Sequence, residues 1–266
     1  MRGEKKMKTV LSIAALTAAA GFASAAPAFD ANVTNNVIFG SGNANGGFTV
    51  GQDNGVEIGL RAKLRFDSNN QPQNQFNSNG DGSYTFQAGL PPTGFGFAPG
   101  STSTALWNFE WSVNTDFEGT SGQMLNELTY IMSIDFDPGV GTENFLSFDP
   151  INTPYADSAI GNNSTANGAG TSAAFGDVAG YASLIGSNNV AQNSWNMEFF
   201  DNAGAGFGFD GRVAGEYVIM LEAYDSEGDI VSFSSIIVNV VAVPMPAAGA
   251  MAGLGLLAVG TRRRRA

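Results

Sequence analysis

Gly215–Val241 reads GEYVIMLEAYDSEGDIVSFSSIIVNVV, and its spacing decides the fold class. Tyr217, Ile219, Leu221 and Ala223 fall at every second position, the period at which side chains share one face of a β-strand. After Asp225–Asp229, a stretch with the turn-forming residues Asp, Ser and Gly, a second run rich in β-branched residues begins. Two strands around a tight turn are therefore expected, with Tyr217, Ile219, Leu221 and Ala223 facing inward and the pair closing a sheet.

The same period recurs upstream. VEIGLRAKLRF places Val56, Ile58, Leu60, Ala62, Leu64 and Phe66 on one side and Glu57, Arg61, Lys63 and Arg65 on the other, which predicts a strand with one buried and one wet face. In ALWNFEWSV the alternating residues are Trp107, Phe109, Trp111 and Val113. In ELTYIMSIDFD they are Leu128, Tyr130, Met132, Ile134 and Phe136. Between these runs lie polar stretches such as Asp67–Ser83 and Ile160–Asp177, rich in Asn, Gly and Ser and without apolar periodicity, which read as loops. The region ahead of the tail shows no helical pattern longer than three turns. The expectation is an all-β, antiparallel β-sandwich or jelly-roll-like domain over residues 26–242 with long Asn/Gly-rich loops. Its last two strands resemble those of immunoglobulin-like extracellular modules.

Composition narrows the chemistry. The chain has 266 residues and a net charge of −12, but eight of its twelve basic residues lie at the two ends. The region between residues 26 and 242 carries 23 acids against Arg61, Lys63, Arg65 and Arg212, a net of −19, which repels phosphate backbones and argues against nucleic acid as a partner. With no histidine and no cysteine, mechanisms built on Ser-His-Asp, Cys-His or histidine-ligated metal are excluded. Paired carboxylates remain chemically possible, and Glu110, Asp116, Glu118 and Glu127 supply candidates. Their spacing fixes no separation, so no catalytic residue is assigned and the chain is not expected to be an enzyme. A carboxylate-dependent glycan hydrolase is the weaker alternative.

The aromatic ladder Trp107, Phe109, Trp111 admits two readings, a sugar-stacking platform or core, and core is favoured because large aromatics dominate interiors. In QNSWNMEFF, Trp195, Met197 and Phe199 are expected on one packed face. NSNGDG, Asn77–Gly82, begins like an EF-hand loop but has Ala88 where the bidentate glutamate belongs. No cofactor is assigned. The one candidate metal is calcium at Asp225 and Asp229, with Asp135, Asp137 and Asp149 as further strand-end carboxylates. The competing reading is that these residues shape turns. GAGFGFDG, Gly204–Gly211, has neither the following helix nor the lysine of a phosphate loop.

The two ends read as addresses. Residues 1–25 combine Arg2, Lys5, Lys6 and Lys8 with an apolar run from about Val10 to Ala20 and an Ala23-Ser24-Ala25 site, the pattern of a secretory signal peptide cut between Ala25 and Ala26. Residues 243–266 read VPMPAAGAMAGLGLLAVGTRRRRA. Two prolines break the last strand, and the 14 residues Ala247–Gly260 form an apolar run. As a helix that run is about 21 Å long, short of a hydrocarbon core of about 30 Å. Arg262, Arg263, Arg264 and Arg265 would stay on the cytoplasmic side as a membrane stop.

In this order, the three parts resemble the PEP-CTERM family of bacterial sorting tails, closest to the variant with a Val-Pro-Leu-Pro-Ala motif. Val243, Pro244, Pro246 and Ala247 match that motif, while Met245 stands where the variant has leucine and the name-giving motif has glutamate. The resemblance implies an exosortase-type membrane protease as partner and transient tethering to the inner membrane. Delivery to the cell surface or extracellular matrix would follow. It leaves the sandwich itself without an assigned task. A structural or adhesive role is expected, with exopolysaccharide or further copies of the chain as partners, and a calcium-dependent glycan-binding module is the alternative.

Overall fold

The computed structural model describes residues 26–243 apart from Ser68, Gly94, Pro99, Tyr155 and Ala156. The signal-peptide segment, the motif beyond Val243, the apolar run and the arginine cluster lie outside the described residues. Among the described residues no helix is long and apolar enough to cross a membrane.

Among the described residues eleven strands follow in order: β1 (Ala28–Ala31), β2 (Phe48–Asp53), β3 (Val56–Leu64), β4 (Ser83–Gln87), β5 (Trp107–Asn114), β6 (Thr129–Asp135), β7 (Phe145–Phe148), β8 (Ala159–Gly161), β9 (Val190–Trp195), β10 (Gly215–Tyr224) and β11 (Ile230–Val241). Among the described residues a single two-turn helix, α1 (Val178–Ile185), precedes β9. It begins at Asp177, whose carboxylate accepts the Gly180 amide at 2.8 Å, and buries Tyr181 and Ile185.

The strands form two sheets: a six-stranded one ordered β1-β2-β3-β5-β9-β8 and a five-stranded one ordered β4-β11-β10-β6-β7. All pairs are antiparallel except β4 with β11, which run parallel. That exception departs from the purely antiparallel expectation, because β4 reaches its partner from far upstream rather than through a hairpin. The six-stranded sheet draws β9 and β8 from the second half of the chain onto β5 from the first, so one core spans both halves.

The core lies between the sheets. Val56, Ile58, Leu60 and Ala62 of β3 and Trp107, Phe109, Trp111 and Val113 of β5 face Tyr130, Met132 and Ile134 of β6 and Tyr217, Ile219, Leu221 and Ala223 of β10. Every one of these is at most 2% exposed. The aromatic ladder is therefore core, with Trp111 against Trp195 at 5.3 Å and Trp107 over Phe86 at 6.1 Å. The Gly215–Val241 hairpin pairs as its alternation requires, Tyr217 with Val238 and Ile219 with Ile236. β2 and β3 are joined by Asn54–Gly55, both at positive φ (50° and 78°), the two-residue turn whose twist matches a right-handed hairpin.

Two expectations need correction. Phe199 does not share the packed face of Trp195 and Met197. β9 ends at Trp195, and Met197–Phe199 form a 3₁₀ turn, whose three-residue period sends Phe199 outward, edge-on to the exposed Phe97. More consequentially, the polar side of β3 is not wet: Glu57, Arg61 and Lys63 are each at most 2% exposed. The segment between β1 and β2 folds back over the outer face of the six-stranded sheet and covers it. Val33 and Val37 pack there on Phe48 and Val50. Gly59 makes this approach possible, because a Cβ at that position would run into Val33 and Phe48.

Candidate functional site

The covered outer face concentrates most of the charge in the interior. In the β3–β5 register Arg61 lies opposite Glu110, so both side chains point to the same face. Arg61 contacts Glu110 through NH2 and Nε, each 2.6 Å from Oε2, while Lys63 Nζ lies 2.6 Å from Oε1. One carboxylate thus bridges two cations. The excess positive charge is met by the strap, residues 33–47: Arg61 NH1 donates to the carbonyls of Ala44 (2.9 Å) and Gly46 (2.6 Å), and Lys63 Nζ donates to Asn43 Oδ1 (2.6 Å). The Arg61 guanidinium is sandwiched by the rings of Phe48 and Phe76, at 4.1 and 4.3 Å from their centroids. Burial pulls both Arg61 and Lys63 below their ordinary values, with Glu110 opposing the shift.

Glu57 closes the other end of the strap. Its carboxylate accepts from the Thr34 amide (2.6 Å), Thr34 Oγ1 (2.8 Å) and Gln52 Nε2 (2.6 Å). Burial raises its carboxyl above the ordinary glutamate value, and these hydrogen bonds offset part of the rise. Between the two ends, Gln192 of β9 accepts from the Ile38 amide at 2.7 Å and donates to Asn36 O and Ser112 Oγ. Asn114 donates to Thr34 O. The outer face is thus a hydrogen-bonded interior layer in which buried polar groups meet partners.

The carboxylates that could have formed a hydrolytic pair do not converge on an open cleft. Glu110 is sealed beneath the strap, and Asp116 turns its oxygens to the amides of Thr120, Ser121 and Gly122. Glu118 is exposed, and Glu127 accepts the Met124 amide. The strand-end aspartates act as turn acceptors. Asp225 Oδ1 takes the amides of Glu227 and Asp229, Asp135 Oδ1 takes those of Asp137 and Asn144, and Asp149 Oδ1 takes those of Ile151 and Asn152. Among the described residues no three acidic side chains group so as to hold a metal ion. Of the sorting motif, only Val243 is described, and it is 60% exposed.

Surface recesses among the described residues include the following two. One, of about 230 Å³, lies beside α1 under the exposed Phe175 and Val178. The other, of about 310 Å³, lies at the end of the sandwich where β6 leaves the five-stranded sheet and β10 enters it, against the 201–213 loop. Sequence reasoning placed Tyr217 in the core, as the structure does, and rejected GAGFGFDG as a phosphate loop; neither reading reveals this second recess. The presence of Asp201 and Asp210 on either side of Phe207 and Phe209 was the available signal.

Fold and site together define a two-layer β-sandwich with a covered polar face. No family model matches the chain, and neither the curated proteins nor the solved structures hold a match to it.

Proposed function

We propose that the chain is an exported bacterial surface protein. In this reading residues 1–25 direct export, the sandwich is the delivered module, and residues 243–266 are a PEP-CTERM-like sorting tail. An exosortase-type protease would cut at Val243–Ala247 after the apolar run and Arg262–Arg265 had held the precursor briefly in the inner membrane. The delivered module is non-catalytic and structural or adhesive, associating with exopolysaccharide or with other copies at the cell surface or in the matrix.

The order of the three parts along the chain carries this proposal. It is supported by where the described strands stop: β1 begins at Ala28 and β11 ends at Val241, so Ala26 and Val243, the described residues at the two candidate processing points, lie outside the strands. Ala26 and Val243 are both exposed. A dense loop network further supports a structural role, because side chains such as Asn43, Asn45, Asn114 and Asn167 hold loop carbonyls in place.

Intact-mass measurement of the surface-associated protein tests the reading. A mass lacking residues 1–25 and the segment beyond the Val243–Ala247 motif is expected. Retention of Arg262–Arg265 in the surface form would contradict sorting and make the tail a plain anchor.

A further inference from the structure

We propose that the recess of about 310 Å³ at the β6–β10 end of the sandwich binds one neutral sugar ring, of the hexose type, within a polysaccharide. This deepens the surface-association reading above and rests on it. Phe136, Phe209 and Tyr217 form the floor, and Asp201, Asp210 and Thr102 stand around the opening. A cavity of this size matches the lower range of small-molecule sites, which are mostly apolar with a few converging polar groups.

Tyr217 is the observation that points to a ligand. It is 2% exposed and lines the recess, yet its hydroxyl has no hydrogen-bond partner among the described residues. The other described tyrosines all have one: Tyr84 donates to Gly47 O, Tyr130 to Leu125 O, Tyr181 to Ile151 O and Tyr224 to Glu222. The hydroxyl is not among the side-chain atoms sealed from solvent without a partner, so it opens into the recess, where a ligand hydroxyl can take the place of water. Burial, followed by the nearby carboxylates of Asp135, Asp210 and Asp137, pushes the phenol up to about 12, so at neutral pH it stays protonated and can donate.

The remaining lining matches the two sides of a sugar. Tyr217 and Phe209 lie 5.3 Å apart with their planes tilted by 60°, and Trp107 stands edge-on behind Phe209 at 6.3 Å, so packed aromatic side chains give the recess a stiff apolar wall against which sugar C–H groups can rest. Asp201 uses Oδ1 to accept the Phe209 amide at 2.9 Å, which fixes the loop and leaves Oδ2 to accept ligand hydroxyls. Asp210 is held by Arg212 through Nε (2.9 Å) and NH2 (2.6 Å), so an acceptor pair and a cation sit side by side at the rim. Carboxylates around the recess, on a domain with a net charge of −19, disfavour an anionic sugar and select a neutral one.

The test titrates the purified full chain with D-glucose, D-galactose, D-mannose and N-acetyl-D-glucosamine by calorimetry, with D-glucuronate as the anionic control. At least one neutral sugar is expected to bind saturably and glucuronate more weakly. Tyr217→Phe, which removes only the unpaired hydroxyl, is expected to weaken that binding about five- to tenfold while leaving the melting temperature unchanged or higher. Asp201→Asn keeps the acceptor for Phe209 and is expected to weaken binding separately. Binding that neither variant alters would overturn the site while leaving polysaccharide association standing. Equal binding of glucuronate would overturn its neutrality. Absence of binding by any of these sugars would overturn the site, whereas the sorting proposal would still be decided by the mass measurement alone.

Discussion

The two faces of the β3–β5 pair are made by the same two strands and solve burial in opposite ways. On the inner face Leu60 lies opposite Trp111 and Ala62 opposite Phe109; on the outer face Arg61 lies opposite Glu110 and Lys63 opposite Asn108. Both faces exclude water to nearly the same degree. The inner one does so through apolar area, each large side chain contributing about 1.5–3 kcal/mol. The outer one does so through a strap whose carbonyls and amides match the charges beneath it. An interior of the first kind tolerates approximate fits, whereas the second requires each charge to keep its partners.

Unbalancing the outer charges should separate the two faces most clearly. Glu110→Ala leaves two buried cations with strap carbonyls alone and is expected to cost about 3–5 kcal/mol in urea unfolding. Lys63→Met keeps Arg61 on Glu110 Oε2 and so leaves the net charge of the pair balanced, but it strips Oε1 of its partner and Asn43 Oδ1 of its donor. Its expected cost is about 1–3 kcal/mol, smaller than that of Glu110→Ala. Equal losses from the two substitutions would mean that packing, not charge, holds the strap.

Glu57 gives a smaller effect with a definite sign. Its folded carboxyl lies above the ordinary value of 4.5, so the folded chain binds that proton more tightly than the unfolded chain. The resulting stability is fully present below pH 4.5 and is lost as pH rises through the raised folded value. Stability of Glu57→Gln, measured against pH, should lack this decline and gain on the wild type as pH climbs above 4.5. A variant that gains on the wild type as pH falls would reverse the assignment.

The smallest effect is expected from calcium. Asp225 already accepts two amides of its own turn, so millimolar calcium should move the melting temperature by less than about 1 °C. A rise of several degrees that Asp225→Asn and Asp229→Asn abolish would instead place a calcium site at this turn.

Much of the inner face was legible in the sequence, because a period of two marks which residues share a face. Tyr217 to Ala223 are buried at alternate positions as that period requires, whereas every position from Trp107 to Asn114 is buried, the even-numbered ones by the strap. What the period does not encode is the cover. Polar alternation in Glu57, Arg61 and Lys63 looks the same whether water or another segment lies above it. The strap that covers them begins some twenty residues upstream and has no periodicity of its own. Asn54–Gly55 carries a local hairpin signal, and Asp177 with Gly186 carries the caps of a short helix. The short strands β7 and β8 and the parallel β4–β11 pair depend on contacts across the chain that local pattern does not carry. The Tyr217 recess was hidden for a related reason: Tyr217 is core as its alternation requires, and alternation does not show that the same side chain also lines a recess.

Native-state hydrogen exchange reads both faces in a single experiment. If the outer face is a second interior, the amides of Thr34 and Ile38, bonded to Glu57 and Gln192, should exchange only through the global unfolding that also releases the central amides of β5. Exchange of those two amides through a local opening, orders of magnitude faster while β5 stays protected, would show the strap to be a surface loop and the outer face to be no interior at all.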